Sequence, residues 1–186
     1  MLLDLSEIVM RTGMRSAVDV DQDALGDPDL RLVEPLVGRV EFRNSGDLLN
    51  IAGRLKTVLE IPCGRCLADV RVPITLNVDE HFPLEDVTHP TAPPDEGEEF
   101  DTFVSSIVHL DAGRPILDLD ELLRQQILTE VPIRTLCGSA CRGLCPRCGA
   151  DLNQGPCACP AEPEETPFSK LAALLNQRDG GEERGG

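Results

Sequence analysis

Eight cysteines are the residues of this chain whose chemistry and spacing are most informative. Six of them crowd into residues 137–159: Cys137, Cys141, Cys145, Cys148, Cys157 and Cys159. In the Cys145–Gly149 turn, a two-residue gap lets both sulfurs point inward, and the glycine leaves amide N–H groups free to bond thiolates. Zn²⁺ accepts four thiolates in a closed tetrahedral site. Because this segment is too poor in apolar residues to build a core, the cluster predicts structural zinc.

The second pair of ligands for Cys145 and Cys148 has two candidates. Cys157 and Cys159 follow after a short excursion rich in polar residues, glycine and proline, whereas the 137/141 pair precedes the turn. Spacing alone does not choose between these pairings.

A separate Cys-X-X-Cys pair, Cys63 and Cys66, lies at a predicted turn between two strands. It is half of a zinc site, and together with Cys137 and Cys141 it would give two sites from eight ligands. The alternative is a reduced thiol pair with no metal. The sequence therefore predicts one or two structural zinc ions.

Other cysteine chemistry is less well supported. A thiol redox switch at Cys63 and Cys66 remains an alternative, although no βαβ pattern of the thioredoxin type accompanies the motif. A catalytic zinc site usually uses histidine, and all three histidines lie outside the cluster: His81, His89 and His109. No nucleophile elbow or phosphate-binding glycine loop occurs, so we expect neither an enzyme nor a small-molecule substrate.

Charge limits the partners of the chain. Its 186 residues carry a formal net charge of −16, which disfavours a dominant nucleic-acid face and favours a basic protein partner. RNA binding by the zinc knuckle through Arg142 and Arg147 is an alternative, but no stacking aromatic lies nearby. Residues 1–14 do not resemble a signal peptide and no apolar run is long enough to cross a bilayer. We therefore expect a cytoplasmic protein without membrane contact.

The elements that position the cysteines predict an α+β fold. Residues 34–82 alternate with period two around a turn at Asn44–Gly46, which predicts antiparallel strands with one buried face. An antiparallel β domain, as a sheet or partial barrel, is thus expected over 34–110, with an exposed acidic loop at 83–102 and a short strand at 103–110. No internal repeat is evident.

The flanking regions are predicted from capping and turn residues. Residues 1–33 are expected to be irregular, and their aspartates do not fit a calcium loop. Residues 111–178 are expected to hold a helix capped by Asp118 and ending before Pro132, the zinc knuckle, and a final helix from Thr166. A disordered tail is expected at 179–186.

Together these motifs resemble the YceD family of bacterial and plastid proteins. The resemblance rests on residues 143–153 with Cys157-Ala158-Cys159, on the 63–67 turn, on the 118–132 helix and on Pro167-Phe168, and it covers roughly residues 35–178. It implies a non-enzymatic role in accumulating large-subunit ribosomal RNA. It also implies a basic ribosomal protein or an assembly intermediate as partner.

Overall fold

A computed structural model describes residues 1–90 and 106–159. The chain divides into two compact units, Met1–Gly143 and Leu144–Gly186. The predicted final helix and tail, and most of the predicted acidic loop, lie outside the described residues. The fold is α+β with antiparallel sheets, as predicted.

Four long strands form the larger sheet of the first unit. They are β2 (Arg15–Gln22), β3 (Leu32–Asn44), β4 (Leu48–Pro62) and β5 (Asp69–Pro83), paired antiparallel in that order. The three strands predicted within residues 34–82 are confirmed. The predicted turn is confirmed too, because Ser45 and Leu48 close it with a backbone hydrogen bond of 2.9 Å.

Alternation along these strands separates a buried face from an open one. The predicted alternation is confirmed on β4, where five side chains of one face are buried: Leu49, Ile51, Leu55, Thr57 and Leu59. On β5, Ile74, Leu76 and Val78 are buried as predicted, and Val70 and Val72 are half-buried. The intervening side chains form the second face, which is polar and largely exposed.

Two glycines bring the backbones of β3 and β4 close together. A Cβ on Gly38 would lie 2.3 Å from the Arg54 carbonyl oxygen, and a Cβ on Gly53 would lie 2.6 Å from that of Arg39. These distances are too short for any side chain, so each glycine is required by the approach of the neighbouring strand.

We predict that Gly38→Ala lowers the free energy of unfolding by about 1–3 kcal/mol, because β4 must move to admit the methyl group. Urea denaturation followed by far-UV circular dichroism measures this, since the chain has neither Trp nor Tyr for fluorescence. Gly138→Ala is the control, because a Cβ there meets open space. Equal midpoints for the two variants would contradict the close approach.

The amino-terminal segment is ordered, which corrects the prediction of an irregular 1–33. It contains β1 (Leu2–Asp4), the short helix α1 (Ser6–Val9) and β2. Val18 and Val20 alternate with aspartates along β2, so the acidic side chains that suggested a loop occupy the exposed face. Buried Asn44 holds α1 in place by donating to the Ile8 and Val9 carbonyl oxygens at 2.8 and 3.1 Å.

A smaller sheet and one long helix complete the first unit. The sheet has the order β1-β7-β6, with β6 at Val108–Asp111 and β7 at Arg114–Asp118. This sheet extends beyond residue 110, the predicted limit of the β domain, because β7 continues it to Asp118 and pairs with β1. The strand predicted at 103–110 is present from Val108, but residues 106 and 107 are helical, which corrects the prediction at those two positions.

The helix α3 (Leu119–Glu130) is confirmed between the predicted cap and Pro132. The Asp118 side chain accepts from the amides of Asp120 and Glu121 at 3.1 and 3.3 Å. Four apolar residues of α3 form one buried stripe with helical spacing: Leu119, Leu122, Leu123 and Ile127. The Glu121 carboxylate accepts from Arg124, whose hydrogen bond lowers the pKa of that carboxyl.

The start of the predicted acidic loop is helical, which corrects the expectation for 83–102 at this end. Leu84–Thr88 form the helix α2, because Val87 is fully buried and anchors the turn to the core. None of the helices in the described ranges combines the length and apolar character needed to span a membrane.

Candidate metal centres

Eight thiols gather into two groups of four within the described residues. Site one contains Cys63, Cys66, Cys137 and Cys141, and site two contains Cys145, Cys148, Cys157 and Cys159. The sulfurs in each group lie within 4.8 Å of one another, and each residue offers one ligand atom. The sequence left open which pair joins Cys145 and Cys148. The geometry groups them with Cys157 and Cys159, and it leaves Cys137 and Cys141 for site one.

Site one belongs to the first unit and joins segments far apart in sequence. Cys63 and Cys66 lie on the turn between β4 and β5, and their partners follow α3. The Cys63 and Cys141 sulfurs are 3.8 Å apart and those of Cys66 and Cys137 are 3.5 Å apart. Sulfurs bound tetrahedrally at about 2.3 Å from zinc would be about 3.8 Å apart, so these separations fit a four-thiolate site.

Backbone hydrogen bonds fix the two halves of site one. The Gly64 amide donates to the Thr135 carbonyl oxygen at 2.8 Å, and the Cys137 amide donates to the Cys63 sulfur at 3.4 Å. The Arg65 side chain donates to the Cys141 carbonyl oxygen at 2.8 Å. Three of the four thiols are buried, and Cys137 is exposed.

The thiols of site one differ in acidity. The pKa of Cys63 is lowered to about 6, because the amides of Cys66, Arg65 and Cys137 donate to its sulfur. The pKa of Cys137 is raised to about 12 by hydrogen bonding to the Cys141 and Cys66 thiols. At Cys66 the Ala68 amide lowers the pKa, but burial and neighbouring thiols outweigh it and the net shift is upward.

Site two lies wholly in the second unit, where residues 144–159 are described. Cys145 is the only buried residue of that range. The pKa of Cys145 is lowered to about 6 by the amides of Cys148 and Arg147, whereas that of Cys159 is raised to about 12 by the Cys148 thiol and by burial. With almost no apolar burial, this segment depends on its polar contacts and its thiols.

Asp151 organises the path from the first to the second thiol pair of site two. Its carboxylate accepts from the Asn153 amide at 2.9 Å, and this hydrogen bond lowers the pKa of Asp151. Its carbonyl oxygen accepts from the Gln154 amide at 3.2 Å. These bonds turn the chain so that Cys157 and Cys159 return to the first pair.

The two sites begin with the same seven-residue turn, Cys-X-Arg-Cys-X-Ala-Asp, at 63–69 and 145–151. The first cysteine donates its amide to the alanine carbonyl oxygen at 2.8 Å in both copies. The residue after the second cysteine has positive φ in both, 61° at Leu67 and 72° at Gly149. This short repeat corrects the expectation that the chain has none.

Each group could hold a metal ion through thiolates alone. Neither group includes a histidine, a carboxylate or another non-thiol donor. Four protein ligands close a tetrahedral site and leave no position for a substrate, so the arrangement suits a structural ion. In site one such an ion would connect the β4–β5 turn to the segment that follows α3.

The supporting contacts of the sites were not predicted from the sequence. The Arg65 bond to the Cys141 carbonyl oxygen joins residues 76 apart in sequence, and no local pattern announces it. The repeated turn was visible in principle, because the arginine, alanine and aspartate recur at fixed offsets from the cysteines.

Comparisons with known proteins identify relatives of this chain. Residues 51–175 match the family described as "Large ribosomal RNA subunit accumulation protein YceD". The chain is also similar to "Large ribosomal RNA subunit accumulation protein YCED homolog 1, chloroplastic" from Arabidopsis thaliana, with 27% identity over 144 residues. That alignment covers 69% of this chain and 45% of the plant protein, so the chain spans less than half of that relative. No solved structure matches significantly.

The matched region contains most of β4, all of β5, α3 and all eight cysteines, and it covers well over half of the sequence. The chain therefore belongs to the YceD family.

Proposed function

We propose that this chain is a non-enzymatic factor that supports the accumulation of large-subunit ribosomal RNA. In this proposal it is stabilised by two structural zinc ions and binds a basic ribosomal protein or an assembly intermediate. The observation that carries the role is the family match over residues 51–175.

Zinc is the metal that best suits the donor set of both sites. Four thiolates in a tetrahedral arrangement select zinc or iron–sulfur chemistry over magnesium or calcium. Amide donors to the first sulfur of each site stabilise its thiolate, as the lowered pKa values of Cys63 and Cys145 indicate. Bound zinc would crosslink each site and take no part in a reaction.

The charge of the chain supports a basic partner. Residues 72–113 contain ten acidic residues and no Lys or Arg, and the whole chain carries −16. A zinc ion with four thiolates adds a net charge of −2, so two loaded sites make the protein still more acidic. Electrostatic attraction to a basic ribosomal protein speeds encounter and suppresses wrong partners.

We expect about two zinc ions per chain in protein purified without a metal-affinity tag. Elemental analysis and thiol counting on the same sample measure this, and native protein should show no rapidly reacting thiol. One zinc with reactive Cys63 and Cys66 would contradict a loaded site one. Protein kept reduced and found without metal would contradict both sites.

The cellular role is tested by deleting the gene in its host. We expect the ratio of large- to small-subunit ribosomal RNA to fall and the wild-type chain to restore it. A pull-down at low salt should recover a basic large-subunit protein or precursor particles. An unchanged ratio after deletion would contradict the role, and a pull-down without any ribosomal component would contradict the proposed partner.

A redox switch at Cys63 and Cys66 is less well supported than a metal site. The lowered pKa of Cys63 would suit an attacking thiol, but the geometry places both sulfurs in one group of four with Cys137 and Cys141. RNA binding by the knuckle through Arg142 and Arg147 stays an untested alternative.

A further inference from the structure

We infer that the open face of the larger sheet binds the phosphate backbone of duplex RNA. We call this surface the outer face. It comprises the outward positions of four strands: residues 15, 17, 19 and 21 of β2; 37, 39, 41 and 43 of β3; 50, 52, 54 and 56 of β4; and 75, 77, 79 and 81 of β5. The inference rests on the proposed role in ribosomal RNA accumulation for one point only, which is that the bound polyanion is RNA.

The outer face has a charge balance unlike that of the whole chain. It carries five Lys or Arg residues and four acidic ones, whereas the whole chain has 17 and 33. The cations are Arg15, Arg39, Arg43, Arg54 and Lys56. The fold thus gathers cations of a strongly acidic protein on one exposed surface.

Strand register places like charges directly opposite each other on this face. Arg15 pairs with Arg43 across β2 and β3, and Arg39 pairs with Arg54 across β3 and β4. Like charges at directly opposed positions destabilise a sheet. The Arg15–Arg43 pair has no ion-pair partner among the described residues, so an anion bound over it would remove a repulsion that the fold itself leaves in place.

Most of these cations are not neutralised by the protein. Arg39 forms ion pairs with Asp19 at 3.0 Å and Glu41 at 3.7 Å. Arg15, Arg43, Arg54 and Lys56 form no ion pair with any residue of 1–90 or 106–159. Their side chains remain available for phosphate oxygens, which arginine contacts with well-matched geometry.

The surface between these side chains is concave. A groove of about 800 Å³ runs over β2, β3, β4 and β5, and Arg15, Arg39, Arg43 and His81 line it together with Glu41 and Asp79. Glu41 and Asp79 lie in one cross-strand row, between the row that contains Arg43 and the row that contains Arg39. A bound phosphate would therefore contact the two rows that contain the arginines.

The outward positions of the larger sheet hold no Phe, Tyr or Trp, which favours a backbone ligand. The described phenylalanines, Phe42 and Phe82, are both buried on the opposite face of the sheet. Single-stranded nucleic acids are held largely by stacking bases on aromatic rings, whereas duplex RNA is recognised by shape and phosphate contacts. The outer face therefore suits the duplex.

The test measures binding of the full chain to a fluorescently labelled RNA duplex. Fluorescence anisotropy gives the affinity at several salt concentrations. Arg15→Ala with Arg43→Ala, and separately Arg54→Ala with Lys56→Ala, should each weaken binding about tenfold at low salt and reduce the salt slope by about 2. Arg11→Ala with Arg114→Ala is the matched control, because it removes the same charge away from the outer face.

Thermal stability separates RNA binding from a structural role for these arginines. If they bind RNA, replacing Arg15 and Arg43 should leave the thermal midpoint unchanged or raise it, because their mutual repulsion is lost. If they stabilise the fold, the same change should lower the midpoint. Equal affinity of the outer-face and control variants would overturn the inference, as would tighter binding of an acidic peptide than of the duplex. If these variants still restore ribosomal RNA levels in the deletion strain, only this inference fails, and the proposed function stands.

Discussion

Replacing Cys63 with serine should remove one zinc ion per chain and markedly destabilise the first unit. Structural zinc binds to finger peptides with about 10–16 kcal/mol at pH 7. Loss of about a third of that free energy would lower the thermal midpoint by roughly 6–20 °C in a chain of this size. The reason is that site one joins Cys63 to Cys141, residues 78 positions apart. Calorimetry with metal analysis measures both effects.

Cys145→Ser is the matched control for this experiment. It should also remove one zinc ion, but the midpoint of the first unit should not change, because all four ligands of site two lie in the second unit. Two zinc ions in Cys63→Ser protein, or the same midpoint shift in both variants, would contradict this division of roles.

Acidification should release zinc, with a steeper dependence below pH 6 than above it. Zinc binds thiolates, so protons compete and affinity falls as pH falls. Because the pKa values of Cys63 and Cys145 are lowered to about 6, both are already thiolates at neutral pH and lose no proton on binding there. Below pH 6 the thiols of Cys63 and Cys145 are protonated as well, so zinc binding must release one more proton at each site. The zinc affinity of each site then falls about tenfold more per pH unit than it does above pH 6.

Competition with a chromophoric chelator from pH 5 to 8 measures this dependence. Far-UV circular dichroism in excess zinc is the control, since it shows whether the sheet remains folded at the lowest pH. A constant slope across pH 6 would contradict the thiolate character of Cys63 and Cys145.

The sequence was most informative where one local rule determined the outcome. Alternation along residues 49–59 predicted the buried face of β4, because each inward position packs on the same core. Asp118 and Pro132 bounded α3, because caps and proline act within a single turn of helix. The cysteine clusters were foreseen from spacing, because a Cys-X-X-Cys turn presents two sulfurs without help from distant residues.

Features that depend on tertiary contacts were not foreseen. The aspartates of β2 suggested a loop, since their place on an exposed face follows only from pairing with β3. The partners of Cys63 and Cys66 were left open, because spacing does not say which distant segment reaches the turn. The outer face was missed for the same reason, as Arg15 and Arg43 meet only through strand register.

The position of the first cysteine turn between β4 and β5 has a consequence for synthesis on the ribosome. Cys66 emerges 71 residues before Cys137, a delay of about 4–14 s at 5–20 residues per second. During that time the nascent hairpin presents two thiols without their partners. Site two, confined to residues 145–159, is complete within roughly one to three seconds of its first cysteine. The nascent chain thus passes through a long stage with a half-built site one and a short one with a half-built site two.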